Sequence, residues 1–185
     1  METALFLLAV QGVAGAFDTA FYHEWRARLP ARGPSVRTEL LIHAGRDFLY
    51  VIIFCTLPWI EWRGMWTVVL LAVFLAEIVL TMWDFLIERR ARRDFGDVYP
   101  GERVTHNAMG IIYGAMLAML APVLLAWLSS PSGLVFSPAP VPDWLRVMLT
   151  LMGGGILLSG ARDLYAALAL PHGNWPWPAA DAEAT

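Results

Sequence analysis

The chain contains no lysine, a single cysteine and few histidines. All 13 basic residues are arginine, and 16 acidic residues leave a formal net charge of −3. The single cysteine, Cys55, excludes an internal disulfide and lies in an apolar run, as small buried side chains do. Four histidines are too few for the much larger histidine sets of membrane desaturases and hydroxylases. The basic stretches lack interleaved aromatic residues, so we expect no nucleic-acid partner.

Long polar stretches are also absent, which leaves no room for a second, soluble domain. The chain is 58% hydrophobic with a mean hydropathy of +0.55, whereas soluble domains are nearer half apolar. Several segments approach the roughly 20 apolar residues that cross a bilayer. Their approximate bounds are 3–22, 40–60, 65–87, 106–128 and 144–170. We predict an all-α integral membrane protein of about five transmembrane helices, with one domain over 1–170 and an irregular cytoplasmic tail over 171–185.

The arginines set the predicted orientation. Most of them lie in the connections after the first and third segments, whereas the opposite side holds Arg63 and Arg146. Positively charged connections stay in the cytoplasm, so we expect the N-terminus outside and the C-terminus inside. The first segment lacks the basic start of a secretory signal and is expected to remain as a helix. Arginine without lysine is typical of GC-rich bacterial genomes, which favours the lipid bilayer of a bacterial cytoplasmic (inner) membrane.

Acidic residues and histidines collect at the arginine-rich ends of these segments. An ionisable side chain at the centre of a membrane helix costs about 2.5–3.5 kcal/mol and is by default a functional candidate. Glu39, His43 and Asp47 are spaced four residues apart and therefore share a helix face. The full candidate set is Asp18, His23, Glu39, His43, Asp47, Glu77, Asp84, Glu88, Glu102 and His106.

A faint internal repeat relates the first two segments to the next two. Asp18 ends the first segment and Asp84 the third, and each is followed by a basic connection and an E-x-x-x-H motif. The motifs are 39–43 and 102–106, and Tyr50 and Tyr113 continue their faces. We therefore predict that the first four helices form a bundle of two similar hairpins. His23 fits least well, because five residues of α-helix turn it about 140° away from Asp18 unless the helix ends there.

Carboxylates and imidazoles that project inward from four helices are how helical bundles hold two iron or manganese ions. Those bundles use E-x-x-H, one residue shorter than the motif here. Oxygen and nitrogen donors without thiolates suit iron, manganese or zinc, and we favour iron. Asp47, one turn from His43, is placed to orient it as carboxylates orient histidine ligands. We predict a non-haem di-metal oxidoreductase near the cytoplasmic face that acts on a lipophilic small molecule. Its predicted ligands are Glu39, His43, Glu77, Asp84, Glu88 and His106, with Asp18 and Asp47 either among the ligands or directly behind them.

Three alternatives stay open at the same residues. Asp84 and Glu88 would form ion pairs with Arg46, Arg89 or Arg92 in a structural or accessory subunit of a membrane complex, or in a homo-oligomer. A proton- or ion-conducting protein needs a polar path across the membrane, which the nearly apolar outer half of the segments disfavours. A haem held by two histidines is a minor variant of the metal hypothesis.

Overall fold

A computed structural model of the protein describes residues 1–93 and 96–177, and most of these residues are helical, which confirms the all-α class. The α-helices are α1 (Glu2–Phe17), α2 (Arg37–Thr56), α3 (Met65–Ala91), α4 (Pro100–Leu128) and α5 (Asp143–Ala167). A π-helical stretch, Asp18–Arg26, prolongs α1 and is called the π segment below. Two short 3-10 turns, Leu29–Ala31 and Gly33–Val36, lead into α2. Residues 171–177 of the predicted tail form turns, and 178–185 lie outside the described residues.

Within the described residues, four helical segments are long and apolar enough to cross a membrane. They are Glu2–Ala31, Met65–Ala91, Pro100–Leu128 and Asp143–Ala167. The remaining predicted segment, α2, is helical, but charged residues at 39, 46 and 47 interrupt its apolar run. Large apolar side chains point outward from the long helices, for example Leu86 and Ile111, each 75% exposed. Such an extended apolar surface is rare in soluble monomers and suits a lipid environment.

The helices form a closed ring in which α5 separates α1 from α2. α2 packs most extensively against α5, and α1 against α4, while α3 contacts both α2 and α4. Glycines on α5 allow the close approach of α2, because a Cβ added at Gly153 would lie 2.5 Å from the Cys55 Sγ. The predicted grouping of the first four helices into two packed hairpins therefore differs from the observed packing, in which α5 is part of the bundle.

Two loops close one end of the ring as a short antiparallel ribbon. Its strands are β1 (Ile60–Arg63) and β2 (Gly133–Phe136), with Ile60 opposite Phe136 and Arg63 opposite Gly133. Behind the ribbon lies an apolar core that includes the fully buried Leu5, Leu8 and Leu70. The opposite, arginine-rich end contains the π segment, the start of α2, the end of α3 and the start of α4. This end holds most of the candidate residues.

Candidate metal centre

The π segment places two candidate residues side by side. In a π-helix, backbone hydrogen bonds join residues that are five positions apart, so the side chains of two such residues lie on nearly the same face. His23 Nε2 consequently lies 3.3 Å from Asp18 Oδ2. The expected turn of about 140° between Asp18 and His23 applies only where the α-helix continues, and α1 ends at Phe17, so the wider π winding brings the two side chains together.

His106, near the start of α4, completes a group of three. Its Nε2 lies 3.0 Å from the same Asp18 oxygen. One donor atom each from Asp18, His23 and His106 lies within 4.8 Å of the others. Glu102 borders the group, with Oε1 3.2 Å from His23 Nε2. The side chains are 6% exposed for Asp18, 12% for His23 and 11% for His106, so the group is largely shielded from solvent.

Neighbouring rings hold both imidazoles in place. The His43 ring stacks on His23 with centroids 4.6 Å apart and planes 9° from parallel. Phe85 of α3 stacks on His106 at 5.4 Å. Glu88 Oε2 lies 3.8 Å from His106 Nδ1, beyond a hydrogen bond but on the side where a carboxylate orients a ligating histidine. Packing thus fixes the ring planes before any ion binds.

A buried arginine occupies the centre of the arginine-rich end. Arg92, directly after α3, is 1% exposed, and Glu39 and Glu102 are fully buried beside it. Its Nε lies 2.8 Å from Glu39 Oε1 and its Nη1 2.6 Å from Glu102 Oε1. Burial lowers the pKa of the guanidinium, but the two carboxylates more than offset this and raise the pKa above its ordinary value. Glu39 is therefore part of an ion-pair cluster around a permanently charged arginine.

A second histidine–aspartate pair lies on the other side of His23. His43 Nε2 is 3.2 Å from Asp84 Oδ2, and Arg46 Nη1 is 3.0 Å from that oxygen. This is the Asp84–Arg46 ion pair that the structural alternative predicts. Asp163 of α5, which lies outside the predicted set, has Oδ2 3.7 Å from His43 Nδ1.

The other two candidates, Glu77 and Asp47, do not contact a histidine ring in either group, although Glu77 Oε1 lies 3.7 Å from Arg46 Nε. Glu77 accepts hydrogen bonds from Tyr50 at 2.8 Å and Thr81 at 2.6 Å, deeper in the bundle. Asp47 faces α5, where a Cβ added at Gly160 would lie 2.7 Å from the Cβ of Asp47. The predicted role of Asp47 in orienting His43 is taken by the two carboxylates that contact the ring, because close packing of α2 on α5 directs Asp47 elsewhere.

The histidine of each repeat contacts the aspartate of the other repeat. His106 of the second repeat contacts Asp18 of the first, and His43 of the first contacts Asp84 of the second. The glutamates of both E-x-x-x-H motifs converge on Arg92. We call Asp18, His23 and His106 the His106 half-site, and His43, Asp84 and Arg46 the His43 half-site.

Buried polar atoms of the His106 half-site have unused bonding capacity. Among the described residues, His23 Nε2, which faces Asp18 Oδ2, has no hydrogen-bond partner, and neither do the outward atoms Asp18 Oδ1 and His106 Nδ1. The His43 half-site has unpartnered atoms too: His43 Nδ1, Arg46 Nε and Asp84 Oδ1. Buried polar atoms are usually satisfied, so an unfilled set invites an ion or ordered water. Comparison with family models, curated proteins and solved structures finds no match. The chemistry of the half-sites is therefore the basis for assigning function.

Proposed function

We propose that this chain is a membrane metalloprotein whose ion binds at the His106 half-site. The observation that carries the proposal is the convergence of two imidazole nitrogens and a carboxylate oxygen within 4.8 Å. The His–Asp separations of 3.0 and 3.3 Å match neighbouring ligands in a metal's coordination shell. For metal–ligand bonds of about 2.0–2.1 Å, such ligand atoms lie roughly 2.9–3.4 Å apart.

The donor set favours a single iron. Two histidines and one carboxylate, with open positions, form the facial triad of non-haem Fe(II) oxygenases. Manganese and zinc accept the same donors. A second ion is disfavoured because arginines neutralise the carboxylates that would hold it: Arg92 binds Glu39 and Glu102, and Arg46 binds Asp84. We therefore replace the di-metal hypothesis with a single ion, and Glu102 and Glu88 lie beside its histidine ligands without binding the ion.

We propose oxidoreductase activity on a lipophilic substrate. A bound iron would supply the redox chemistry, and His106 of the half-site also lines a cleft that opens between α3 and α4. The positive-inside rule puts the arginine-rich end in the cytoplasm, near the inner surface of a bacterial cytoplasmic membrane. A substrate dissolved in the bilayer then reaches the half-site without crossing water.

A structural role is the second candidate, and the arginine pairs favour it. Buried charges that are already paired need no metal, and Arg92 is surrounded by its own carboxylates. This candidate predicts that the folded chain binds no stoichiometric transition metal. The two proposals therefore differ in the number of transition-metal ions that each folded chain binds.

The test is the metal content of protein purified in mild detergent without chelators, measured by inductively coupled plasma mass spectrometry. We expect about one equivalent of iron per chain, and loss of it in His23→Ala. His172→Ala is the matched control, because His172 is exposed in the turns that follow α5. Wild-type protein with less than about a tenth of an equivalent of any transition metal overturns the proposal.

A further inference from the structure

A cleft of about 250 Å³ opens between α3 and α4. These helices contact each other less than the other neighbours in the ring do. Gly110 and Gly114 line the α4 side, and a Cβ added at either would meet nothing within 4 Å. These glycines therefore leave space instead of bringing helices together. Exposed Met82 lies on the α3 side, so the mouth faces the apolar surroundings of the bundle.

The inner wall of the cleft is polar. Gln11, Tyr50, Glu77 and Tyr113 line it, and His106 lies towards the arginine-rich end. Gln11 is 4% exposed, and its Oε1 has no hydrogen-bond partner among the described residues. A buried amide with spare capacity is costly unless a ligand or water completes it. The wall thus presents a hydrogen-bonding group to whatever enters the cleft.

The charge of the wall excludes an anionic headgroup. Arg46 is the cationic group of the lining, and it is engaged by Asp84 at 3.0 Å and by Glu77 at 3.7 Å. Because two carboxylates face its guanidinium, Arg46 contributes no excess positive charge that would attract a phosphate to the part of the wall beside Glu77. Glu77 also lies near the middle of α3, which spans Met65–Ala91, so the polar part of an occupant must reach membrane depth. Phospholipid headgroups stay at the interface, whereas a neutral lipophile does not.

We propose that this cleft binds a quinol or quinone, a neutral lipophile with a flat head that carries hydroxyl or carbonyl groups. Its apolar tail would leave between α3 and α4, and its head would lie against Gln11. The unpartnered amide oxygen is placed to accept a hydrogen bond from a quinol hydroxyl, while the Gln11 side chain also bonds to Tyr50. The inference deepens the proposed function by naming the substrate class, and it rests on that function only for the chemistry at His106.

The test uses the full chain in phosphatidylcholine nanodiscs, with a decyl-substituted benzoquinone and its quinol as probes. Quenching of tryptophan fluorescence reports binding, and metal content is measured on the same samples. Gly114→Leu fills the cleft and is expected to weaken binding more than about tenfold. Gly154→Leu is the matched control, since a Cβ at Gly154 on α5 also meets nothing within 4 Å. Gln11→Leu is expected to weaken binding about tenfold by removing the hydrogen bond.

The outcomes separate the two proposals. Equal affinities for wild type, Gly114→Leu and Gly154→Leu overturn the quinol site, even when iron is present. Absence of probe binding by the wild type overturns it as well. Binding that depends on Gly114 in a protein without metal supports the cleft while refuting the metal centre. Binding that depends on Gly114 with one iron retained supports both.

Discussion

The two half-sites share an aspartate–histidine pair and differ in the third member. In the His106 half-site that member is His23, whereas in the His43 half-site it is Arg46, which binds Asp84 at 3.0 Å. An imidazole offers a lone pair to an ion when it is neutral, but a guanidinium stays charged and has none. One half-site can therefore receive a cation, and the other already contains one.

The difference can be traced through the repeat. Arg46 comes three residues after His43, and the same step from His106 leads to Met109. The π segment has no counterpart in α3, which continues as an α-helix past Asp84. A change of helix winding after Asp18 and a cation after His43, both in the first repeat, thus distinguish two otherwise related pairs.

The largest expected difference is between the removal of His106 and the removal of His43. His106→Ala takes away one of three proposed ligands and should reduce bound iron below about a tenth of an equivalent. His43→Ala leaves Asp18, His23 and His106 in place and should retain most of the metal, although it removes the ring that stacks on His23. Metal content per chain distinguishes them. Equal loss in both variants would mean that the half-sites do not differ as argued.

Arg92 joins the two E-x-x-x-H motifs through Glu39 and Glu102, and its removal should destabilise the arginine-rich end. Arg92→Met leaves Glu39 and Glu102 buried without their cation, and breaking a buried pair in this way costs about 3–5 kcal/mol. Reversible unfolding in mixed micelles measures the loss. Arg103→Met is the control, because its pair with Asp97 is exposed and contributes little. A stability of Arg92→Met equal to that of Arg103→Met would remove Arg92 from this role.

Sequence reasoning reached the helical class and the residue types of the half-sites, but not their partners. His23 is the candidate that fits the α-helical spacing least well, because a uniform α-helical period does not reveal a local π-helix. Arg92 continues the four-residue steps from Asp84 and Glu88, a signal that was available in the sequence. Asp163 joins His43 because α5 packs on α2, and only tertiary structure brings those two residues together.

Replacing Met109 with arginine, the residue at the equivalent position 46 of the first repeat, should make the His106 half-site resemble the His43 half-site. Met109 reaches α1 one turn from Asp18, since a Cβ at Gly15 would lie 3.6 Å from its Cε. Met109→Arg places a guanidinium beside Asp18 and therefore close to the proposed iron. Two positive unit charges about 4 Å apart repel by roughly 4 kcal/mol at an effective dielectric of 20. Iron affinity, measured by competition with a chelator, should fall at least about a hundredfold. Met109→Leu should leave it unchanged, and an unchanged affinity in Met109→Arg would contradict the argument.

The smallest expected change in iron affinity comes from replacing the carboxylates that face the Nδ1 atoms of His106 and His43. Glu88 lies 3.8 Å from His106 Nδ1, and Asp163 lies 3.7 Å from His43 Nδ1. Removing a carboxylate that orients a ligating histidine costs roughly 10–100-fold in metal affinity. Because 3.8 Å exceeds a hydrogen bond, Glu88→Gln should be near the low end, about tenfold. Asp163→Asn should leave iron affinity unchanged, because its histidine holds no ion. The same chelator competition measures both, and a larger loss in Asp163→Asn than in Glu88→Gln would place the ion at the His43 half-site instead.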